Sequence, residues 1–332
     1  MISMKEIARV CGVSVATVSK ALSDKGDISK ATRDRIRQAA EEMGYMLNAS
    51  ARALKTNRTY SIGVIFVDRM SAGLSHEYFS QILESFRQAA EENGYDISFI
   101  NNRVDGKEST YLRHCKYRSY DGVVIISAEF MDPQILELVD SDIPVVSIDY
   151  SYDNCSSVIS DNTKGMRELV KYAASMGHRK IGFIHGEITD VTKKRMMGFY
   201  STCRELGIDA DERFVVEAKY HDIDCSYDRI KEILASEDRP TCVIFPDDFS
   251  LLGAMSRLAD DKIILTDEIS VMGYDGIRMS KFVGLTTYEQ DATSLGRIAC
   301  RRLIDAIENP QSYSEHSVVA GKLIPGRTVR KI

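Results

Sequence analysis
The side chains best placed to do chemistry in this chain sit just after short apolar runs. Asp149 closes IPVVSID, Asp275 lies in SVMGYDG, and Asp248 lies in FPDDFSLLGAM. Arg195 lies in KKRMMGF and Gln290 in LTTYEQD, while Asn102 and Arg103 follow DISFI and Ser127 ends GVVIIS. Tyr78 and Phe79 follow the first run and open a helix. Carboxylates with one arginine make charge-assisted hydrogen bonds to neighbouring hydroxyls, and aromatic faces cover the apolar side of a sugar ring. The pattern therefore suits a polyhydroxyl ligand. The chain has no Trp, so stacking falls to Tyr, Phe or His221. Plain structural roles fit the same residues. Asp161, Asp248 and Asp291 suit helix N-caps, Asp275 a turn, Tyr78 ordinary packing and Arg195 an ion pair. Asp149 and Asp275 also have the residue types of a glycosidase carboxylate pair, but no nucleophile elbow, P-loop or HExxH pattern accompanies them. SIGVIFVDRMSAG contains no GxGxxG, which argues against a dinucleotide enzyme.

Ligand-binding side chains need elements to hold them. From Ser61 onward, apolar β runs alternate with amphipathic helices. The runs are Ser61–Val67, Asp96–Ile100, Gly122–Ser127, Pro144–Ile148, Lys180–His185, Cys242–Phe245 and Ile269–Gly273, with a helix near Tyr78–Asn93. This alternation predicts parallel sheets of βαβ units. About 270 residues exceed one ordinary core, so two lobes are expected. Ligands then bind outside the carboxyl ends of the strands.

The first residues read differently. Met4 to Leu22, MKEIARVCGVSVATVSKAL, spells two short helices joined by Gly12. Ser3 and Glu6 form a capping box that starts the first helix at Met4. Ile7, Ala8 and Val10 are its expected apolar side. Gly12 suits a left-handed turn. Ser14 caps a second helix whose stripe is Val18, Ala21 and Leu22. Ser29 caps a third, Lys30–Met43, with Ile36, Ala39, Ala40 and Met43 inward and Gly44 at its end. The spacing is that of a helix-turn-helix, which lays its second helix in a DNA major groove. Charge agrees: residues 1–58 carry 11 Lys/Arg against 6 Asp/Glu, the remainder 32 against 43. A basic head on an acidic body is the footprint of a phosphate binder. The short Ala-rich segment Asn48-Ala-Ser-Ala-Arg-Ala-Leu54 follows, before a polar linker.

VSVATVSKAL, SKATRDRIRQAAEEMGY and NASARALKTNRTYSIGVI together resemble the N-terminal region of the LacI family of transcription regulators. The resemblance implies an α/β chain with a small all-α helix-turn-helix head (1–47) and a hinge helix and linker (48–60). A two-lobed, periplasmic-binding-protein-like domain with parallel sheets (61–332) completes it. By the same resemblance Val15, Ala16 and Lys20 stand where bases are read. Thr17, Ser19, Ser23, Ser29 and Thr32 stand near phosphates, and Asn48, Arg52 and Leu54 belong to the hinge, with Leu54 as the wedge between base steps. Lys20 is long enough for a guanine edge, and an apolar wedge trades unstacking for a bent duplex. The family's cleft positions match Tyr78, Phe79, Arg195, Asp248 and Asp275; Arg103, Ser127, Asp149, His221 and Gln290 complete the expected ligand set. Three departures stand out: Leu47 where many members have Pro, Asp247 where Asn is typical, and a LIPGRTV ending.

These readings predict a ligand-responsive, sequence-specific DNA-binding regulator, a repressor and not an enzyme. Its effector is expected to be a carbohydrate, with a purine or sugar phosphate as the alternative. A sugar-binding module without a transcriptional role is the rival class, and such a module has no use for the head. The expected partners are a pseudo-palindromic double-stranded operator and a second copy of the chain, since one head reads one half-site. No cofactor or metal is called for: seven scattered cysteines and six dispersed histidines show no ligand spacing. The polar start MISMKEIARV has no apolar signal core, so no membrane contact and a cytoplasmic location are expected.

Overall fold
The structure, a computed structural model, describes residues 2–22, 28–45, 53, 58–67, 73–311 and 313–332. The chain divides into two units, Met1–Thr59 and Tyr60–Ile332. Ser23, Asn48, Arg52 and Leu54 lie outside the described residues.

In the first unit the helices run Met4–Cys11, Val15–Leu22 and Lys30–Glu42. The Ser3 N–H donates to the Glu6 carboxylate at 2.7 Å, which is the reciprocal half of the expected capping box. Gly12 adopts φ +62, a conformation that costs glycine nothing for lack of a Cβ, and the turn then hands over to Ser14, whose Oγ accepts the Thr17 N–H at 3.1 Å. Ile7, Val18, Ala21 and Ile36 are fully buried against one another, with Ala8, Cys11 and Ala40 beside them. One expectation is corrected: Val10 is 61% exposed. Cys11 takes the inward position, because helical spacing puts residue 11, four beyond Ile7, on the buried face.

The second unit contains two six-stranded sheets. The first has the order β13-β7-β6-β5-β1-β2, all neighbours parallel. Its strands are β1 (Ser61–Phe66), β2 (Asp96–Phe99), β5 (Gly122–Ser127), β6 (Val145–Ile148), β7 (Ser156–Ser160) and β13 (His316–Val319). The second has the order β14-β12-β11-β10-β8-β9 and is parallel except where β14 joins β12. Its strands are β8 (Ile181–His185), β9 (Val215–Glu217), β10 (Cys242–Ile244), β11 (Ser270–Asp275), β12 (Thr287–Glu289) and β14 (Lys322–Ile324). A small antiparallel pair, β3 (Arg103–Val104) and β4 (Lys107–Glu108), stands apart.

The apolar runs become the central strands because both faces of a parallel sheet are covered by helices. Ile62, Val64, Val124, Val146 and Ile148 pack under the helices Glu77–Glu92 and Ala292–Glu308. Ile181, Phe183, Ile244 and Met272 pack under Asn162–Ser175 and Asp190–Leu206. The chain crosses between lobes near Asp161, near Gln290–Asp291 and after Val319. The last of these crossings returns β14 to the second sheet, so neither lobe is a continuous stretch of sequence.

β7 had no apolar signature. Three of its four buried positions are filled by Ser156, Ser157 and Ser160, with Val158 the fourth, and Ser157 meets the ring of His316 on the neighbouring strand at 2.8 Å. The hydrogen-bonded hydroxyls of Ser156 and Ser157 take the place of the apolar side chains that a periodicity search needs.

Candidate ligand cleft and nucleic-acid interface
On the second helix of the head, Val18 and Ala21 face the core, which leaves Val15, Ala16 and Lys20 exposed and Thr17 and Ser19 half-buried. Val15 is 41% exposed, an apolar surface suited to a thymine methyl. Ser29 caps the third helix, its Oγ accepting the Thr32 N–H at 3.2 Å. Five expected DNA residues therefore occupy one helix, and its outward side contains a positive charge.

In the second unit a cavity of about 620 Å³ opens between the carboxyl ends of the two sheets. Tyr78, Phe79, Ser127, Asp149, Arg195, His221, Asp275 and Gln290 all line it. Asp149 stands one residue beyond β6 with φ +60. One of its oxygens accepts the Tyr78 hydroxyl at 2.7 Å and the other the Ser160 N–H at 3.1 Å. Burial pushes the Asp149 carboxyl above its ordinary range, against the lowering pull of the Tyr78 hydrogen bond. Burial and the adjacent Asp149 charge drive the Tyr78 phenol far upward, so it remains a donor.

Arg195 is 4% exposed. Its Nε donates to the Asn162 side-chain oxygen at 2.8 Å and its Nη1 to the Pro246 carbonyl at 2.7 Å. The guanidinium lies 3.5 Å over the Tyr274 ring, and its Nη2 is 3.9 Å from Asp275 Oδ1. The helix Asp190–Leu206 supplies Arg195, Asn162 opens the facing helix, and Pro246 follows β10. Fixed on two sides, the arginine presents Nη2 toward Asp275. The Asp275 Oδ1 also accepts the Gln290 amide at 2.7 Å. Burial raises the Asp275 carboxyl to about 6, with Arg195 pulling the other way.

Aromatic rings line the remaining wall. Phe130 and Tyr150 stack at 4.8 Å and 8°, and His221 stacks on Phe249 at 5.0 Å and 13°. The arrangement offers acceptors, donors and flat apolar faces in one enclosure, which is the equipment for binding a small polar ring.

Two of the expected residues stand elsewhere. Arg103 is on the exposed strand β3 and does not line the cavity. Asp248 is fully buried behind it, with Oδ2 accepting the N–H groups of Gly276 and Ile277 at 2.9 and 3.0 Å. Asp161 and Asp291 cap helices, accepting from Lys164 and Ser294 at 3.0 and 2.9 Å. The sequence reading missed His76, Phe130, Tyr150, Glu187 and Tyr220, all of which line the cavity. Tyr150 adjoins Asp149, and Phe130 stands three residues past β5. Extending each strand end by three residues would have found both. Among the described residues, no group of three His, Cys, Asp or Glu side chains is arranged to hold a metal ion, and no helix is long and apolar enough to cross a membrane.

Comparison with known proteins fits this geometry. Residues 3–48 match the profile of bacterial regulatory proteins of the lacI family, and residues 170–329 match a periplasmic binding protein-like domain. The HTH-type transcriptional repressor PurR of Mannheimia succiniciproducens is 30% identical over the whole of both chains. That of Pasteurella multocida is 30% identical over all of this chain and 98% of its own. Among solved structures, the lac repressor dimer bound to operator and the anti-inducer ONPF superposes with a TM-score of 0.79 at 22% identity, covering 99% of each chain. The complex of the regulator CelR with cellobiose has a TM-score of 0.71 at 21% identity, over 99% of this chain and 100% of its own. These structures share the fold. With the full-length relatives at this identity, the chain belongs to the LacI family of bacterial regulatory proteins and is a DNA-binding transcription repressor, not an enzyme.

Proposed function
We propose that this repressor answers to an uncharged polyhydroxyl effector, a carbohydrate, bound in the interlobe cavity. The observation that carries the reading is the row of cavity-lining groups formed by the buried Arg195 with Asp275 and Asp149, one donor and two acceptors, beside aromatic walls. Vicinal hydroxyls donate to one oxygen and accept from another, which matches that row. The lining carboxylates, with Glu129, Glu187 and Asp190 added, outnumber the two lining cations Lys193 and Arg195, which disfavours a sugar phosphate.

Val15, Ala16 and Lys20 read operator bases, Thr17, Ser19, Ser29 and Thr32 fix the register on phosphates, and the hinge residues Asn48, Arg52 and Leu54 complete the grip. The protein works in the cytoplasm as a homodimer on a two-fold operator. An apolar face supports the dimer: Met279 and Phe282 stand 54% and 79% exposed on one short helix, and solvated apolar side chains of that size mark contact surfaces. Closing the cleft around the effector changes lobe orientation, and with it operator affinity, by differential binding to two states.

A purine base is the second reading, favoured by the PurR name of the full-length relatives and by the flat ring walls. Thermal unfolding of the purified protein against sugars, sugar phosphates and purines separates the readings, since stabilisation follows occupancy. A sugar hit supports the first. A purine hit with silent sugars replaces it with the second.

A further inference from the structure
β11 ends in two consecutive left-handed residues, Asp275 at φ +99 and Gly276 at φ +72. Glycine accepts such a conformation, but an aspartate there is strained and persists only where its surroundings hold it. The holding group is Asp248. Its Oδ2 takes both N–H groups that follow Asp275, from Gly276 at 2.9 Å and Ile277 at 3.0 Å.

The fit is close from both sides. A Cβ on Gly273, two residues before Asp275, would stand 2.0 Å from Asp248 Oδ1, so only glycine lets the carboxylate lie against the strand. A Cβ on Gly276 would stand 2.4 Å from the Glu289 Cβ on β12. Asp248 is not spent on capping its own helix. Asp247 does that, with Oδ1 accepting the Ser250 N–H at 2.7 Å. Asp248 is fully buried, and burial drives its carboxyl well above the ordinary range, so its place behind the turn is costly to maintain.

We infer that Asp248 is a positioning residue for the ligand site: it clamps the Asp275–Gly276 turn and thereby aims the Asp275 carboxyl into the cavity. It touches no ligand. The consequence for effector binding rests on the reading of Asp275 as an effector contact, whereas the clamp itself does not. The test therefore uses the proton as its probe.

In the full-length protein labelled with 13C at aspartate side-chain carboxyls, the Asp275 signal, assigned by its loss in D275N, titrates near 6. The groups facing it are Arg195, Asp247, His221 and Gln290, the Tyr78, Tyr220 and Tyr274 hydroxyls, and Asp248 itself, so D248N, which keeps the acceptor without the acid, separates loss of the Asp248 charge from loss of the clamp. In D248A the Asp275 midpoint falls toward about 4, and the Gly276 and Ile277 amides exchange about tenfold faster or more. Asp149, which the clamp does not reach, keeps its own midpoint. In D248N the side-chain oxygen still accepts both N–H groups, so the wild-type values return. An unchanged Asp275 midpoint in D248A overturns the inference. So does D248N moving as far as D248A, or Asp149 moving as far as Asp275, which marks general loosening. Should D248A fail to show a cooperative melt, D248S is read by the same criteria.

Discussion

The rings of His76 and His221 face each other across the cleft with centroids 3.5 Å apart and planes 31° from parallel. His76 precedes the helix Glu77–Glu92 of the first lobe, and His221 follows β9 in the second. One residue on, the Glu77 carboxylate accepts the Arg278 N–H at 2.8 Å, again from lobe to lobe. The start of one helix thus holds the second lobe by a ring contact and a charge-assisted hydrogen bond. His221→Ala removes the ring contact and opens the cleft. Small-angle scattering of the free protein should show a larger radius of gyration, and affinity for the effector should fall about tenfold. An unchanged scattering profile would show that the pair does not hold the lobes.

Asp275 makes stability depend on pH. Burial raises its carboxyl from 3.8 in the unfolded chain to about 6 in the folded one. The folded state therefore binds the proton more tightly between those values. The contribution, up to about 3 kcal/mol, is fully present below about pH 4 and is lost as the pH rises through about 6. Asp275→Asn abolishes this dependence. Urea melts of the two proteins at pH 4.5 and 7 should differ in their pH slope across that window, with wild type losing more stability on alkalinisation. Parallel slopes would show that Asp275 titrates normally.

Much of this arrangement was legible in the sequence because it rests on local rules. The capping box Ser3–Glu6, the turn at Gly12 and the stripe Val18–Ala21 are set by residues three or four apart. The central strands were legible as apolar runs. Asp149 and Asp275 could be placed at the cavity because parallel strands deliver their carboxyl ends to one cleft, whereas Arg195, on the helix Asp190–Leu206, came from the family resemblance of KKRMMGF. Asp248 was misplaced for a physical reason. It occupies the start of a helix after β10, as a ligand residue would, but the adjacent Asp247 takes the cap and Asp248 turns backward to β11. Nothing in sequence spacing reveals which of two neighbouring aspartates faces the cavity. The serine-filled strand β7 was hidden because its burial depends on partners such as His316, 159 residues away.

Lys20 is exposed on the outward side of the second helix. Lys20→Ala should lower affinity for the cognate operator by about 1–3 kcal/mol while leaving other sequences nearly unaffected. The comparison is made at one fixed salt concentration, because phosphate contacts vary with salt. Equal weakening on every sequence would assign Lys20 to the phosphate backbone.

Phe282, 79% exposed on the helix Arg278–Val283, provides a direct test of the dimer. Phe282→Asp places a charge in the proposed contact and should weaken self-association about tenfold or more, read by sedimentation at several protein concentrations. Because the substituted side chain is solvated in the single chain, the melting temperature of the monomer should stay within a few degrees. Unaltered sedimentation would place the contact between copies elsewhere.

The central claim is that the occupied cleft controls the grip on DNA. Its most direct test is fluorescence anisotropy of a labelled operator, titrated with the protein at fixed salt with and without a sugar that stabilises the fold. The account predicts a change in operator affinity of about fivefold or more, absent in Arg195→Met protein that remains folded. A sugar that binds tightly in the cleft and leaves operator affinity unchanged would contradict it.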